Sequence, residues 1–262
     1  MKLKTLARQM LIPRRSFVTA ATIVASLLSP SPPTNDALIL GGFLLSDSAY
    51  NDYVSELSNV GVAGKVYAYN DPMLLEIDDS LIHSTTGLLV GHSKGAKTIA
   101  TWMATLKQPI PCILIEPVDV DPPREAHFSV LDLWESNPKQ VASIPTLVIS
   151  APFTDTSKRY GKMKNLCAPE GKDARAFFDA ASQARTAYPG AAPLSFVEFP
   201  SLGHNDVTSS ALGGCSNGPS RNAGSHAIAS LVARWIHAVE NGEDIASTIQ
   251  QENPSVAFNV AS

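Results

Sequence analysis

The segment LLVGHSKGAKTIATW, residues 88–102, constrains the fold of this chain more than any other. An apolar run suited to a strand stops at Gly91-His92-Ser93-Lys94-Gly95, and apolar residues at helical spacing begin at once. Glycine two residues before and two after a serine is unfavourable in regular structure unless a side chain there would meet neighbouring backbone. A parallel strand that turns sharply into its crossover helix imposes that crowding and leaves the serine on the strained turn. The hydroxyl then stands at a helix N-terminus, whose positive end faces any negative charge that develops beside it. Ser93 is therefore the expected nucleophile.

The rest of the chain repeats this alternation. Strand-like runs occur at 37–40, 65–69, 88–90, 112–115, 146–150 and 194–199. Helical spacing occurs at 50–60, 96–106, 174–186 and 227–239, with a short helix expected near 131–134. Strands separated by helices need crossover connections, hence an α/β fold with a mostly parallel central sheet and helices on both faces. With 262 residues, 44% of them apolar, one core suffices. The expected domain is 37–241, and the polar stretch 242–262 reads as a loosely ordered tail.

Residues 1–36 follow different rules. Met1 to Arg15 is basic and free of acids, residues 17–28 are apolar, and a proline-rich spacer follows. Twelve apolar residues are too few to span a bilayer, so the stretch reads as a targeting segment, with Arg14-Arg15-Ser16-Phe17 similar to a twin-arginine signal. No other stretch is long and apolar enough for a transmembrane helix. The net charge of −4 comes from 20 basic and 24 acidic residues without a basic stripe, which sets nucleic acid aside as a partner. Cys112, Cys167 and Cys215 show no CxxC spacing, so neither a zinc site nor a redox pair is expected. Cys167 and Cys215 fall in loops and are candidates for pairing.

A serine hydroxyl needs a base. Among six histidines, His204 in PSLGHNDV follows the last strand-like run, at the carboxyl end of a strand, where reactive groups of such sheets gather. It also keeps the order Ser, acid, His of the α/β-hydrolase fold. His92 abuts Ser93, but its side chain is expected to point away from the hydroxyl. Three carboxylates could orient the base: Glu116 at the end of CILIEP, Asp119 three residues later, and Asp155 after the next strand. The oxyanion hole is expected from the Lys94 amide and one amide of the loop after the first strand, that of Phe43 or Leu44. No metal ligand set is expected.

Several segments carry a further likeness. GHSKGAKT resembles the chlorophyllase pattern GHSRGGKT, and GGFLLSDSAYNDYVSEL is similar to that family's first loop and helix. LIEPVDVDPP resembles its D-P-V-D-G segment, CAPEGKDARAFFDAA its C-A-P-x-G stretch, and FPSLGHNDV its Y-G-H-L-D-M. The likeness runs in order from about Ala37 to Glu240. It implies a divergent chlorophyllase-like ester hydrolase with nucleophile Ser93, base His204 and an acid at Glu116, where the family has aspartate. Gly41, Lys94 and Ala96 are further departures, standing where the family has His, Arg and Gly. The implied reaction is hydrolysis of the phytyl ester of chlorophyll to chlorophyllide and phytol, without a cofactor. A wide apolar entrance would then be walled by Phe43, Leu44, Leu45 and a loop ending at Trp134. A plastid address with peripheral association with the thylakoid membrane would suit such a substrate; a secreted protein is the other expectation for the N-terminal segment. The rival functions are a general carboxylesterase or lipase acting on other lipophilic esters, and a non-catalytic pigment- or lipid-binding protein of the same fold.

Overall fold

The computed structural model describes residues 36–42, 45–68, 82, 86–120, 128–153, 168–209, 218, 221–250 and 257–261. In chain order these form β1 (Asp36–Leu40), a 3₁₀ turn (Asp47–Tyr50), α1 (Asn51–Asn59), β2 (Ala63–Tyr67), β3 (Leu88–His92), α2 (Lys94–Met103) and β4 (Cys112–Ile115). There follow α3 (Val130–Ser136), α4 (Pro138–Ala142), β5 (Thr146–Ser150), α5 (Ala174–Thr186), β6 (Leu194–Glu198), α6 (Arg221–Asn241), α7 (Ile245–Gln250) and β7 (Ala257–Ala261). The strands lie side by side in the order β2-β1-β3-β4-β5-β6-β7. The first six pair in parallel, and only β7 runs antiparallel, against β6. The α/β expectation therefore holds.

The strands are apolar throughout because both faces of the sheet are covered. Alternate residues serve different layers. Leu40, Leu89, Leu114 and Val148 pack with Ile99 and Met103 of α2, Trp134 of α3 and Phe177 of α5. Their neighbours Ile39, Val90, Ile113 and Ile149 face Tyr53 and Leu57 of α1 and Ile228, Val232 and Trp235 of α6. This double cover holds the carboxyl ends of β1, β3, β4 and β6 in one row, where the candidate site lies.

Two expectations differ from the structure. Of the stretch 242–262 expected as a loosely ordered tail, residues 245–250 form α7 and residues 257–261 form β7, which extends the sheet along β6, from Leu194↔Ala261 to Glu198↔Ala257. An antiparallel edge strand needs no crossover helix and no long apolar run, so AFNVA carried only a weak alternation as its signal. Trp134 does not line an entrance. It is 1% exposed, its indole N–H donates to the Ala100 carbonyl at 2.7 Å, and its ring meets Phe177 edge-on at 5.4 Å. An indole with both its apolar body and its polar atom satisfied in the core has nothing to offer a substrate. Among the described residues, no helix is long and apolar enough to cross a membrane.

Candidate active site

Three loops meet at the carboxyl end of the sheet, and the sharpest is the turn from β3 into α2. Ser93 adopts φ 54°, ψ −114°, a conformation that costs a residue with a Cβ of order 1–3 kcal/mol. Two contacts hold it there: the Ser93 amide donates to the Ile115 carbonyl at 2.9 Å, and the Ser93 carbonyl accepts from the Lys97 amide at 3.1 Å. The flanking glycines are obligatory for space. A Cβ on Gly91 would lie 2.6 Å from Ala96 Cα, and one on Gly95 would lie 2.2 Å from the Leu40 carbonyl oxygen. Neither obstacle is a flexible side chain. Gly95→Ala is therefore expected to lower unfolding free energy by at least about 2 kcal/mol in denaturant titration, since β1 and α2 must separate to admit the methyl.

The second loop follows β6 and carries His204. Its Nε2 lies 3.0 Å from Ser93 Oγ, and its Nδ1 lies 3.0 Å from Glu116 Oε2. All three residues are less than a tenth exposed. An ionised carboxylate only accepts hydrogen bonds, so Glu116 places the imidazole proton on Nδ1 and leaves the Nε2 lone pair for the Ser93 hydroxyl. The other carboxylate oxygen of Glu116 accepts the Ala151 amide. Glu116 also has a positive φ of 47°. Among the described residues other than glycine, Ser93 and Glu116 alone have positive φ, and these are the two groups that His204 joins. Backbone strain concentrated at hydrogen-bonded polar side chains is a mark of a working site.

Of the two candidate carboxylates among the described residues, Glu116 takes the place beside His204. Asp119 is committed elsewhere: its Oδ1 accepts the Val130 amide at 3.0 Å and faces Lys97 Nζ at 3.2 Å, while its Oδ2 accepts the Ser129 hydroxyl at 2.9 Å. Burial pushes the Asp119 carboxyl up, but the Val130 amide, the Ser129 hydroxyl and the Lys97 ammonium outweigh it and hold its pKa below the usual range. It anchors the N-terminus of α3. Asp155, Phe43, Leu44, Cys167, Cys215 and residues 1–35 lie outside the described residues. Lys94 opens α2, and its side chain turns inward to donate to the Val120 carbonyl, which ties the loop after β4 to the nucleophile turn. Leu45 is half-buried against the layer formed with α1 and α6. Among the described residues, no group of three or more His, Cys, Asp or Glu could hold a metal ion.

Sequence reasoning missed Asp206, two residues beyond the base. Fully buried, its Oδ2 accepts the Gly203 amide at 2.8 Å and the Gly218 amide, so one carboxylate draws the His204 loop and the segment before α6 together. Its signal in the sequence is the aspartate that closes GHND, two residues after the base.

A parallel sheet with crossover helices, a strained serine turn after β3 and a histidine loop after β6 define an α/β-hydrolase fold. Comparison with solved structures agrees. The esterase domain of a protein from Rhodothermus marinus superposes with a TM-score of 0.51 at 15% identity, over 81% of this chain and 89% of that one. A protein assigned to the alpha/beta hydrolase superfamily, from Xanthomonas campestris pv. campestris, reaches a TM-score of 0.40 at 19% identity, over 75% of this chain and 97% of that one, and adds nothing to the fold assignment. The sequence matches no protein-family model and no curated protein.

Proposed function

We propose that the protein is a serine ester hydrolase that works through an acyl-enzyme. The observation that carries this reading is His204, 3.0 Å from a strained serine hydroxyl on one ring nitrogen and 3.0 Å from a buried carboxylate on the other. Ser93 Oγ attacks the ester carbonyl as Nε2 takes its proton, and Glu116 stabilises the imidazolium. The Lys94 amide at the positive end of α2, together with the Phe43 or Leu44 amide, binds the tetrahedral oxyanion. His204 returns the proton to the departing alkoxide oxygen, and the alcohol leaves. Water, deprotonated by the same nitrogen, then attacks the acyl-enzyme; Ser93 regains its proton and the carboxylic acid departs.

For the substrate, we infer the phytyl ester of chlorophyll, cleaved to chlorophyllide and phytol in a plastid at the membrane surface. The support is the ordered series of chlorophyllase-like segments, above all CAPEGKDARAFFDAA, which a general esterase has no reason to carry. The retained carboxylate at Glu116 supports the reaction; the departures at Gly41, Lys94 and Ala96 bear on which ester is accepted.

Purified protein is to be incubated with chlorophyll a in detergent and, separately, with p-nitrophenyl butyrate. Release of chlorophyllide and of p-nitrophenol is the expected result. Turnover of the short ester alone makes the protein a general carboxylesterase, and pigment bound but unchanged makes it a carrier. Failure with both esters, with no labelling of Ser93 by a fluorophosphonate, overturns the hydrolase reading.

A further inference from the structure

One buried polar network beside Ser93 has no part in the proton path. Tyr50, at the end of the 3₁₀ turn, is 1% exposed, and its hydroxyl makes two hydrogen bonds. The Gly42 amide donates to it at 2.7 Å, and His92 Nδ1 lies 2.8 Å away. A phenol that accepts from an amide still has its own proton, and the ring nitrogen is the group placed to receive it. His92 Nδ1 is thereby the acceptor, and the imidazole proton sits on Nε2. Burial, and next the charge of the His204 ring at 5.1 Å, hold the His92 pKa well below its ordinary value and outweigh a hydrogen bond to the His204 backbone that raises it, so the ring stays neutral.

The amide that Tyr50 accepts belongs to the loop packed on the nucleophile. A Cβ on Gly42 would lie 3.0 Å from His92 Nδ1 and 3.3 Å from Ser93 Cβ, so the Gly42 backbone rests directly against Ser93. The Gly42 carbonyl accepts from the Leu45 amide at 3.3 Å, and the preceding Gly41 amide donates to the Tyr67 carbonyl at 2.9 Å. Backbone bonds thus engage the Gly41 amide and the Gly42 carbonyl, and the Tyr50 hydroxyl joins the Gly42 amide to His92, the residue that precedes the nucleophile.

We propose that Tyr50 is a positioning residue for ester hydrolysis: its hydroxyl, shared between the Gly42 amide and His92 Nδ1, clamps the loop after β1 onto the nucleophile turn and fixes the tautomer of the ring beside His204. This role rests on the hydrolase reading above. A loop free to shift by about an ångström would meet the tetrahedral intermediate out of register, an error that costs turnover rather than ground-state binding. The fixed tautomer matters when His204 becomes cationic, because the adjacent ring then stays neutral instead of competing for the proton.

The test is Tyr50→Phe, which removes one oxygen and keeps the ring, assayed with p-nitrophenyl butyrate beside Ser195→Ala. Ser195 lies near the amino end of β6, and its buried hydroxyl accepts the Trp235 indole N–H at 3.3 Å. The expected result is a kcat lowered roughly 10- to 100-fold in Tyr50→Phe with KM changed little, against an undiminished kcat in Ser195→Ala. An undiminished kcat in a folded Tyr50→Phe protein overturns the role while leaving the hydrolase reading intact. A wild-type protein that neither turns over the ester nor reacts with a fluorophosphonate removes that reading and this role with it. Should Tyr50→Phe fail to fold, His92→Asn and His92→Leu decide the matter. Asparagine presents an acceptor near the height of Nδ1 and leucine none, so only the leucine variant is expected to lose turnover. Equal kcat in the two overturns the proposal.

Discussion

Replacing Ser93 with alanine is expected to lower kcat for p-nitrophenyl butyrate by about ten-thousandfold or more and to abolish labelling by a fluorophosphonate. The size of the effect follows from covalent catalysis. Without the hydroxyl, His204 has no proton to take and no acyl-enzyme forms; what remains is water attacking an ester held in the site. The fold should not suffer, because the change removes one oxygen, and alanine occupies the same φ of 54° under the same two backbone hydrogen bonds. Thermal unfolding of Ser93→Ala should therefore match wild type. A variant that retains a tenth of the wild-type kcat with its Tm unchanged would show that the strained serine is not the nucleophile.

Much of this site was legible in the sequence because its signals are local. Gly91 and Gly95 can be read from spacing, since each answers to backbone a few residues or one strand away. His204 can be read from chain order, because the carboxyl end of a late strand in such a sheet lies near the nucleophile turn. The acid could not be settled from the chain alone. Glu116, Asp119 and Asp155 all follow strands, and it is the contact across 88 residues between His204 and Glu116 that separates Glu116 from Asp119. The likeness implies Glu116 as the acid, and the structure places Glu116 Oε2 3.0 Å from His204 Nδ1. Trp134 misled because an aromatic near a loop reads the same whether it faces substrate or core; its contacts come from α2 and α5, distant in sequence. In the sequence, Tyr50 reads as one more apolar residue of the helical spacing over 50–60. Its hydroxyl partners, Gly42 and His92, are separated from it by 8 and 42 residues, and no periodicity reports such a contact.

Glu116→Gln is expected to reduce kcat by about a thousandfold to ten-thousandfold with little change in KM. The substitution keeps shape and removes charge. A glutamine can turn its NH₂ group toward His204, in which case Nδ1 must accept and the ring proton moves to Nε2, where it faces the Ser93 hydroxyl and blocks deprotonation. In the other orientation the amide oxygen still accepts from Nδ1, but nothing anionic balances the imidazolium as it forms. Asp119→Asn provides the contrast, because its carboxylate serves α3 and Lys97 instead of the base. Its kcat should stay near wild type, and its effect should appear in stability. The Asp119 carboxyl has a lowered pKa in the folded protein, so its ionised form contributes stability that is present above the ordinary aspartate pKa of about 4 and is lost as pH falls through the lower folded value. Denaturant titrations should accordingly separate Asp119→Asn from wild type most widely near neutral pH and bring the two together in strong acid. If Glu116→Gln keeps kcat within about tenfold of wild type while Asp119→Asn loses activity, the hydrogen bond from His204 to Glu116 is not the one that orients the base, and Asp119, on the same loop, is the acid instead.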